Sequence, residues 1–294
     1  MTANDAILIR ALHLPCWHRA QDPEFLGGGK TNQNILLTDQ GRKYVVRFGK
    51  DIPEHGILRW NELAISRAAH AAGVAPAVHY AAPGVLVLDY IEAAPVTPAD
   101  FKSDATIDAL AGLLRRVHHD ALQHLQGPVL SFWVFHILRS YAQFLTAHDS
   151  GYGSILPELL SQARDLEAKV GPVDIVLGHN DLLPGNILRR GADFWLIDWE
   201  YAGLGSPLFD LGGLATNNNL TTRQQTRLLE TYFRAPVHPS LWLRYAAMKC
   251  ASLLRETLWS MVSEQASEVD FDFPAYTATN LAAYRSSWAE LQSL

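Results

Sequence analysis

Residues 178–188 read Gly-His-Asn-Asp-Leu-Leu-Pro-Gly-Asn-Ile-Leu, and residues 197–201 read Ile-Asp-Trp-Glu-Tyr. Short apolar runs flank both stretches, and such runs between Gly, Pro, Asn and Asp are typical of strands joined by loops. Loops that a rigid scaffold holds in place keep their polar side chains available for binding and catalysis. Three of those side chains, on Asp181, Asn186 and Asp198, offer a carboxylate, an amide oxygen and a second carboxylate.

The spacing of these three side chains limits their chemistry. Carboxylate and amide oxygens are the hard ligands that Mg²⁺ prefers when phosphates complete its shell. A carboxylate that does not bind the metal can accept the proton of an attacking hydroxyl. In kinase-like folds an Asp precedes a metal-binding Asn by five positions, and a second metal-binding Asp follows on the next hairpin. The alternative is that these residues only cap turns, but the complete spacing favours phosphoryl transfer.

The rest of the chain divides into a strand-rich first part and a helical second part. Residues 34–37 and 43–48 are apolar runs separated by turn residues, which predicts an antiparallel hairpin. We expect a β-rich lobe at 1–91, a linker at 92–98 and a helical lobe with an inserted β-hairpin at 99–294. The predicted fold class is therefore α+β and bilobal, with one helix in the small lobe. Apolar residues at helical spacing predict helices at 58–72, 106–119, 132–147, 155–170, 221–234, 239–263 and 275–291.

Composition excludes several other classes of protein. The 294 residues are 48% hydrophobic and 18% charged, and the net charge of −6 does not fit a nucleic-acid-binding protein. The longest apolar runs are too short to cross a bilayer and no signal peptide is evident, so we expect a cytoplasmic protein without membrane insertion. Cys16 and Cys250 are expected to be reduced thiols. The adjacent His118 and His119 are expected at the surface or at a helix end, not in a metal site.

The N-terminal part contains groups that could bind phosphates. Residues 26–32 read Leu-Gly-Gly-Gly-Lys-Thr-Asn, and glycine backbone can approach anionic oxygens closely. Lys30 would help to neutralise phosphate or would face solvent. Arg47 is a single basic residue inside an apolar strand; if it is buried it needs a partner, and Glu62 on the following helix is the candidate. Simple alternation along the strand would instead point Arg47 to solvent.

Together these motifs resemble the choline/ethanolamine kinase branch of the aminoglycoside-phosphotransferase-like kinases. An arginine at the position of Arg47, where most kinases have lysine, is typical of that branch. The resemblance implies a protein-kinase-like bilobal fold, ATP and Mg²⁺ as cofactors, and phosphorylation of a small alcohol. It extends from about residue 24 to residue 290 and is carried by residues 27–32, 44–47, 179–186, 197–201, 209–212 and 258–262.

The resemblance also implies a role for each matching residue. Asp181 would be the general base, Asn186 and Asp198 the Mg²⁺ ligands, and His179 and Asp210 supports of the catalytic loop. The residues expected to bind ATP are Gly28, Gly29, Lys30, Thr31, Asn32, Arg47, Glu62, Asp89, Tyr90 and Ile91. The residues expected to contact the acceptor are Asp181, Glu200, Tyr201, Glu256, Trp259 and Tyr276.

The acceptor pocket is where the chain departs from the choline/ethanolamine kinases that it resembles. A quaternary ammonium binds well among aromatic faces, and the family builds such a cage from aromatic residues of its late helices. Many eukaryotic members have a tryptophan at Glu256 and a glutamate at Asn217, so a more polar pocket is expected here. The predicted function is ATP-dependent phosphorylation of a small amino alcohol, choline or ethanolamine. Thiamine, an aminoglycoside, or a catalytically silent binding module of the same fold remain the alternatives.

Overall fold

A computed structural model describes residues 3–27, 32–267 and 269–294 of the chain. Its N-terminal part is built on a five-stranded antiparallel sheet in the order β1-β2-β3-β5-β4. The strands are β1 (Ala20–Leu26), β2 (Gln33–Asp39), β3 (Arg42–Phe48), β4 (Val78–Ala82) and β5 (Val85–Asp89).

The predicted hairpin is formed by β2 and β3. Asp39 pairs with Arg42, and the two residues between them, Gln40 and Gly41, have φ angles of 49° and 76°. Positive φ at both loop positions is the mark of the tight turn that matches the twist of paired strands. The register then places Arg47 opposite Leu86 of β5, on the central strand of the sheet.

Two helices accompany the sheet. The predicted helix is α2 (Arg59–Ala71), and Gly73 follows it with φ of 70°. A second helix, α1 (Ala3–Leu12), precedes the sheet and was not predicted. Its buried Ala11 belongs to the core between α1 and the sheet, but its apolar stripe is too short to be recognised from periodicity alone.

The second part of the chain is mainly helical, as predicted. Residues 116–121 form a π-helical segment that runs past the end of the helix predicted at 106–119, and the helices at Leu122–His124 and Pro207–Asn217 were not predicted. The helices are α3 (Asp104–Arg115), α4 (Leu122–His124), α5 (Val134–Ala147), α6 (Leu156–Val170), α7 (Pro207–Asn217), α8 (Thr222–Phe233), α9 (Pro239–Ala266) and α10 (Phe273–Gln292).

Short strands interrupt these helices and carry the polar loops. They are β6 (Ala94–Pro95), β7 (Val176–Gly178), β8 (Ile187–Arg190), β9 (Asp193–Leu196) and β10 (Gly203–Gly205). The predicted β-hairpin is β8 with β9. β6 adds to its edge, so part of the segment expected to be a linker pairs with the helical lobe.

The helix α9 is the centre of the second part. It packs against α5, α6, α7 and α10. At the crossing with α7, a Cβ on Gly212 would lie 2.8 Å from Cα of Lys249, so only glycine permits this close approach. The packing fixes α7 and the C-terminal half of α9 beside the loops that follow β7 and β9. None of the described helices is long and apolar enough to cross a membrane.

Candidate active site

The loop after β7 is held by Asp210, which lies in the first turn of α7. The Asp210 carboxylate accepts hydrogen bonds from the backbone N–H groups of His179 and Asn180, both at 2.7 Å. His118 Nε2 lies 2.9 Å from the same carboxylate. Burial by itself would raise the pKa of Asp210, but the hydrogen bond from His118 and the neighbouring histidines hold that pKa below its usual value. The carboxylate therefore stays ionised and fixes the loop.

His118 is not at the surface, contrary to the expectation from sequence. It is fully buried within the π-helical segment, and its Nδ1 lies 2.7 Å from the hydroxyl of Tyr232. The sequence could not reveal this position, because the contact between His118 and Asp210 joins residues that are 92 positions apart.

The predicted base and the predicted metal ligand on this loop are in contact. Asn186 Nδ2 donates to Oδ2 and to the backbone carbonyl of Asp181, both at 2.9 Å. The amide oxygen of Asn186 is thus turned away from the carboxylate. His179 Nε2 lies 3.0 Å from the carbonyl of Ile197, and its Nδ1 accepts from the N–H of Asp181 at 3.3 Å. The ring of His179 therefore ties the loop to the strand that leads to Asp198.

Asp181 is strongly shifted toward its neutral form. Burial is the main cause that raises the pKa of this carboxyl well above its usual value, and Asp198, Glu256 and Glu200 raise it further. Arg255 opposes the shift. A carboxylate of raised pKa is a stronger proton acceptor than an exposed aspartate.

Arg47 joins the two parts of the chain. The structure places the predicted pair with Glu62, with Nη1 3.3 Å from Oε1. The guanidinium also donates to Asp198 at 2.5 Å and to Glu200 at 3.0 Å. Arg47 is only 6% exposed, so it does not face solvent as simple alternation would require.

A second arginine, Arg59, completes this network. Its Nη1 donates to Glu62 at 2.6 Å and to Glu200 at 3.0 Å. Asn32 also donates to Glu200, at 2.9 Å. Glu200 therefore binds groups of the N-terminal part, and its expected contact with the acceptor stays a prediction. Among the described residues, the two arginines contact the three carboxylates of Glu62, Asp198 and Glu200.

Burial and the neighbouring charges shift the pKa of Asp198. Burial raises the pKa of this carboxyl to about 6, Arg47 opposes the shift and Glu200 adds to it. Asp198 also has a φ of 69°, a conformation that is uncommon outside glycine and concentrates at functional sites. The Asp198 carboxylate and the Asn186 amide oxygen are suitable ligands for Mg²⁺. No group of three His, Cys, Asp or Glu residues with metal-binding geometry occurs among the described residues, and a site completed by phosphate oxygens does not need one.

The predicted ATP-binding segments are only partly visible. Gly28, Gly29, Lys30 and Thr31 lie outside the described residues. At the end of β5, the N–H of Asp89 donates to Ala77 and the N–H of Tyr90 donates to Lys43. Within the described ranges, the N–H of Ile91 has no acceptor, so it is the donor that this segment can offer to a ligand.

Four of the predicted acceptor residues lie together beside the catalytic loop. Trp259 Nε1 donates to the hydroxyl of Tyr201 at 2.8 Å. The hydroxyl of Tyr276 donates to Oε1 of Glu256 at 2.7 Å. The rings of Trp259 and Tyr276 meet edge to face with centroids 6.4 Å apart. Asp181, Glu256 and Tyr276 line one cavity of about 60 Å³, so the predicted base faces the predicted acceptor pocket.

The sequence model of the "Phosphotransferase enzyme family" matches residues 22–248. The chain belongs to this family. Protein LicA of Haemophilus influenzae is 27% identical to this phosphotransferase over 264 residues, which cover 87% of the chain and 77% of LicA. The thiamine kinase of Shigella boydii serotype 4 is 28% identical over 218 residues, which cover 73% of each protein.

Solved structures confirm the kinase-like bilobal fold predicted for the phosphotransferase. A choline/ethanolamine kinase family protein from Mesorhizobium loti is 26% identical, with a TM-score of 0.78 over 97% of this chain and 95% of that chain. Choline kinase LicA from Streptococcus pneumoniae is 24% identical, with a TM-score of 0.78 over 98% and 100%. The predicted resemblance to choline/ethanolamine kinases and the class of small-molecule kinase are confirmed.

Sequence reasoning missed one further charged residue of the phosphotransferase. Arg255 is 4% exposed and lines the same cavity as Asp181. Its Nη1 donates to Oε2 of Glu256 at 3.0 Å, and its Cζ lies 4.4 Å from the ring centroid of Tyr201. The sequence does contain a signal for Arg255, because the residue stands beside Glu256 in an otherwise apolar stretch of helix. A similar signal marks Arg59, which lies three residues before Glu62.

Proposed function

We propose that this phosphotransferase transfers the γ-phosphoryl group of ATP to the hydroxyl of a small amino alcohol, choline or ethanolamine. The observation that carries the proposal is the position of Asp181. This carboxylate contacts the predicted metal ligand Asn186 and shares a cavity with Glu256 and Tyr276. A base between a phosphate-binding side and an acceptor pocket is the arrangement that phosphoryl transfer needs.

The phosphate side of the site would be formed by Arg47 and by the segment that includes Asn32. Arg47 forms ion pairs with Glu62, Asp198 and Glu200. These contacts fix the position of its guanidinium group. The N–H of Ile91 would bind the base of ATP. A structure of LicA contains AMP, and a spectinomycin phosphotransferase contains ADP. These complexes support adenine nucleotide binding here.

Mg²⁺ would be held by Asn186 and Asp198, and when bound it supplies positive charge that stabilises the transferred phosphoryl group. Asn186 orients Asp181 through the 2.9 Å hydrogen bond to its carboxylate. Asp181 then accepts the proton of the acceptor hydroxyl. Asp210 keeps the loop in place through the backbone of His179 and Asn180.

The acceptor side favours a cationic substrate. The cavity is lined by the carboxyl groups of Asp181, Asp210 and Glu256 and by one cation, Arg255, so acidic side chains outnumber basic ones around it. An ammonium group would find the carboxylate of Glu256 and the edges of Tyr276 and Trp259. The choline/ethanolamine kinase family protein among the solved structures supports this substrate class.

Thiamine is the second candidate acceptor, because thiamine kinases are among the relatives of comparable identity. It is a hydroxylated cation as well and would use the same base. An aminoglycoside carries several amines and would need a wide acidic cleft. A silent binding module would be expected to have lost Asp181, Asn186 or Asp198, and all three are present.

The first test is ADP release by the purified protein with MgATP and one acceptor at a time: choline, ethanolamine, thiamine or kanamycin. Each rate is read against a blank without acceptor and against the Asp181→Asn variant. We expect choline or ethanolamine to give a rate well above both references. Binding of ATP without any acceptor-dependent ADP release would contradict the proposal, and thiamine alone above the blank would replace the substrate.

A further inference from the structure

Arg255 introduces a fixed cation into the acceptor pocket. It lies on α9 with 4% of its surface exposed. Its Nη1 donates to Glu256, whereas its Nε and Nη2 are buried and have no hydrogen-bond acceptor among the described residues. A buried guanidinium with two unused nitrogen atoms is costly to retain for stability alone.

The cation occupies an aromatic face. The Cζ of Arg255 is 4.4 Å from the ring centroid of Tyr201, which is well inside the range of a cation–π contact. Tyr201 is only 8% exposed. A trimethylammonium group gains its binding energy from such faces, so at Tyr201 it would compete with a guanidinium that is already in place.

The other predicted cage residue is also engaged by the protein. Trp259 is 6% exposed, and its indole N–H is bound to Tyr201. His55 and Phe273 pack against its ring, with centroids 5.3 Å and 6.1 Å away. The rings of Tyr201 and Trp259 beside the cavity therefore already contact side chains of the chain itself.

Glu256 provides a different means of recognising an amine. Its two carboxylate oxygens receive one hydrogen bond each, from Arg255 and Tyr276, and each oxygen can accept a second one. Its side chain retains 22% exposure. An ammonium group that carries N–H can donate to this carboxylate, whereas a quaternary ammonium has no N–H.

We propose that Arg255 is a specificity-determining residue that fills the cation position on Tyr201 and selects, through Glu256, acceptors whose ammonium group carries N–H. The inference rests on the proposed function and narrows its substrate class from amino alcohols in general to ethanolamine-like ones. Arg255 excludes choline by occupying the aromatic face, and it orients the carboxylate that binds the N–H.

The test uses the series ethanolamine, N-methylethanolamine, N,N-dimethylethanolamine and choline with the full-length protein and MgATP. We expect kcat/KM to be at least about tenfold higher for ethanolamine than for choline. A factor of this size is the least discrimination that a missing hydrogen bond or an additional methyl group produces. In Arg255→Met this ratio should fall by about tenfold or more, while the KM for ATP changes by less than about twofold. Arg255→Lys keeps a cation and should retain the preference for ethanolamine, as should the control Arg285→Met on the exposed face of α10.

Each outcome has a defined meaning. A wild-type preference for choline, or a ratio unchanged in Arg255→Met, overturns the role of Arg255 and leaves the kinase intact. If Arg255→Met does not fold, Glu256→Gln takes its place, and there the loss should fall on ethanolamine and spare choline. A loss in Glu256→Gln that is equal for both acceptors contradicts the inference. Failure of the wild type to phosphorylate any of the four overturns the proposed function and the selectivity with it.

Discussion

Arg47 of β3 donates a 2.5 Å hydrogen bond to the carboxylate of Asp198, the residue that follows the β9 strand by two positions. The bond connects the central strand of the N-terminal sheet to the candidate metal ligand. Because Glu62 and Glu200 contact the same guanidinium, the position of Arg47 is fixed from three sides.

Replacement of Arg47 by Met should therefore affect both turnover and stability. The buried Glu62 and Glu200 and the partly exposed Asp198 would lose their shared cation, and loss of one partner of a buried pair costs about 3–5 kcal/mol. We expect kcat/KM for ATP to fall by at least about a hundredfold, since the charge on the phosphates would lose a fixed partner. Arg42→Met on the same strand is the control, because that side chain is 70% exposed; similar effects of both substitutions would argue against the role of Arg47.

Asp181→Asn tests the proposed base. The substitution removes the proton acceptor but keeps the shape of the side chain, so kcat should fall by at least about a hundredfold. Binding of ATP, measured by calorimetry, should remain within about threefold of wild type. Asp193→Asn, at the exposed start of β9, should leave kcat unchanged. Turnover of Asp181→Asn close to wild type would show that another group removes the proton.

Trp259→Phe tests the acceptor wall. The substitution keeps an aromatic ring but removes the donor to Tyr201, so the acceptor pocket should lose order while the ATP side does not. We expect the KM of the acceptor to rise by about tenfold, the scale of one lost hydrogen bond to a buried group, and the KM of ATP to remain unchanged. Trp242→Phe, on the same helix but away from the cavity, is the reference. Equal shifts in both KM values would place Trp259 in the core only.

His55 makes the stability of the protein dependent on pH. Burial, with Arg255 adding to it, lowers the pKa of this histidine from 6.5 to about 3, and Glu200 opposes the shift only in part. The unfolded chain binds a proton below pH 6.5 and the folded chain does not until about pH 3. The contribution of neutral His55 to the free energy of unfolding is therefore complete above pH 6.5. It is lost as the pH falls toward 3, by about 1.4 kcal/mol per pH unit.

We expect the free energy of unfolding, measured with urea, to depend on pH more strongly in the wild type than in His55→Gln. Glutamine can still bond the hydroxyls of Tyr141 and Ser263, which lie 3.3 Å and 3.1 Å from the imidazole nitrogens. Between pH 7 and pH 5 the wild type should lose about 2 kcal/mol more than the variant. An equal loss in the two proteins would mean that the pKa of His55 is the same in the folded and the unfolded chain.

Much of the fold was accessible from local patterns. The hairpin of β2 and β3 follows from a turn sequence between two apolar runs, and the amphipathic helices follow from their 3.6-residue periodicity. The helix α7 was not predicted because it has no polar face. Its apolar residues Phe209, Leu211 and Leu214 are buried, and so are Asp210 and Gly212. The short helix α1 has too few apolar positions to show a period.

The site was accessible where spacing along the chain defines it. Asp181, Asn186 and Asp198 lie within 18 residues and follow a recognisable order. His118 and Arg255 do not, because each acts on residues that only the folded chain brings near. The contact of His118 with Asp210 spans 92 positions, and Arg255 meets the ring of Tyr201 across the packing of α9 on the loop after β9.

The most direct test of the whole account is ³¹P NMR of a reaction that contains the protein, MgATP and ethanolamine. We expect a new phosphomonoester signal that grows in step with ADP and is missing from the Asp181→Asn sample. Appearance of ADP with inorganic phosphate alone, or no loss of ATP from a protein that binds it, would contradict transfer to an amino alcohol.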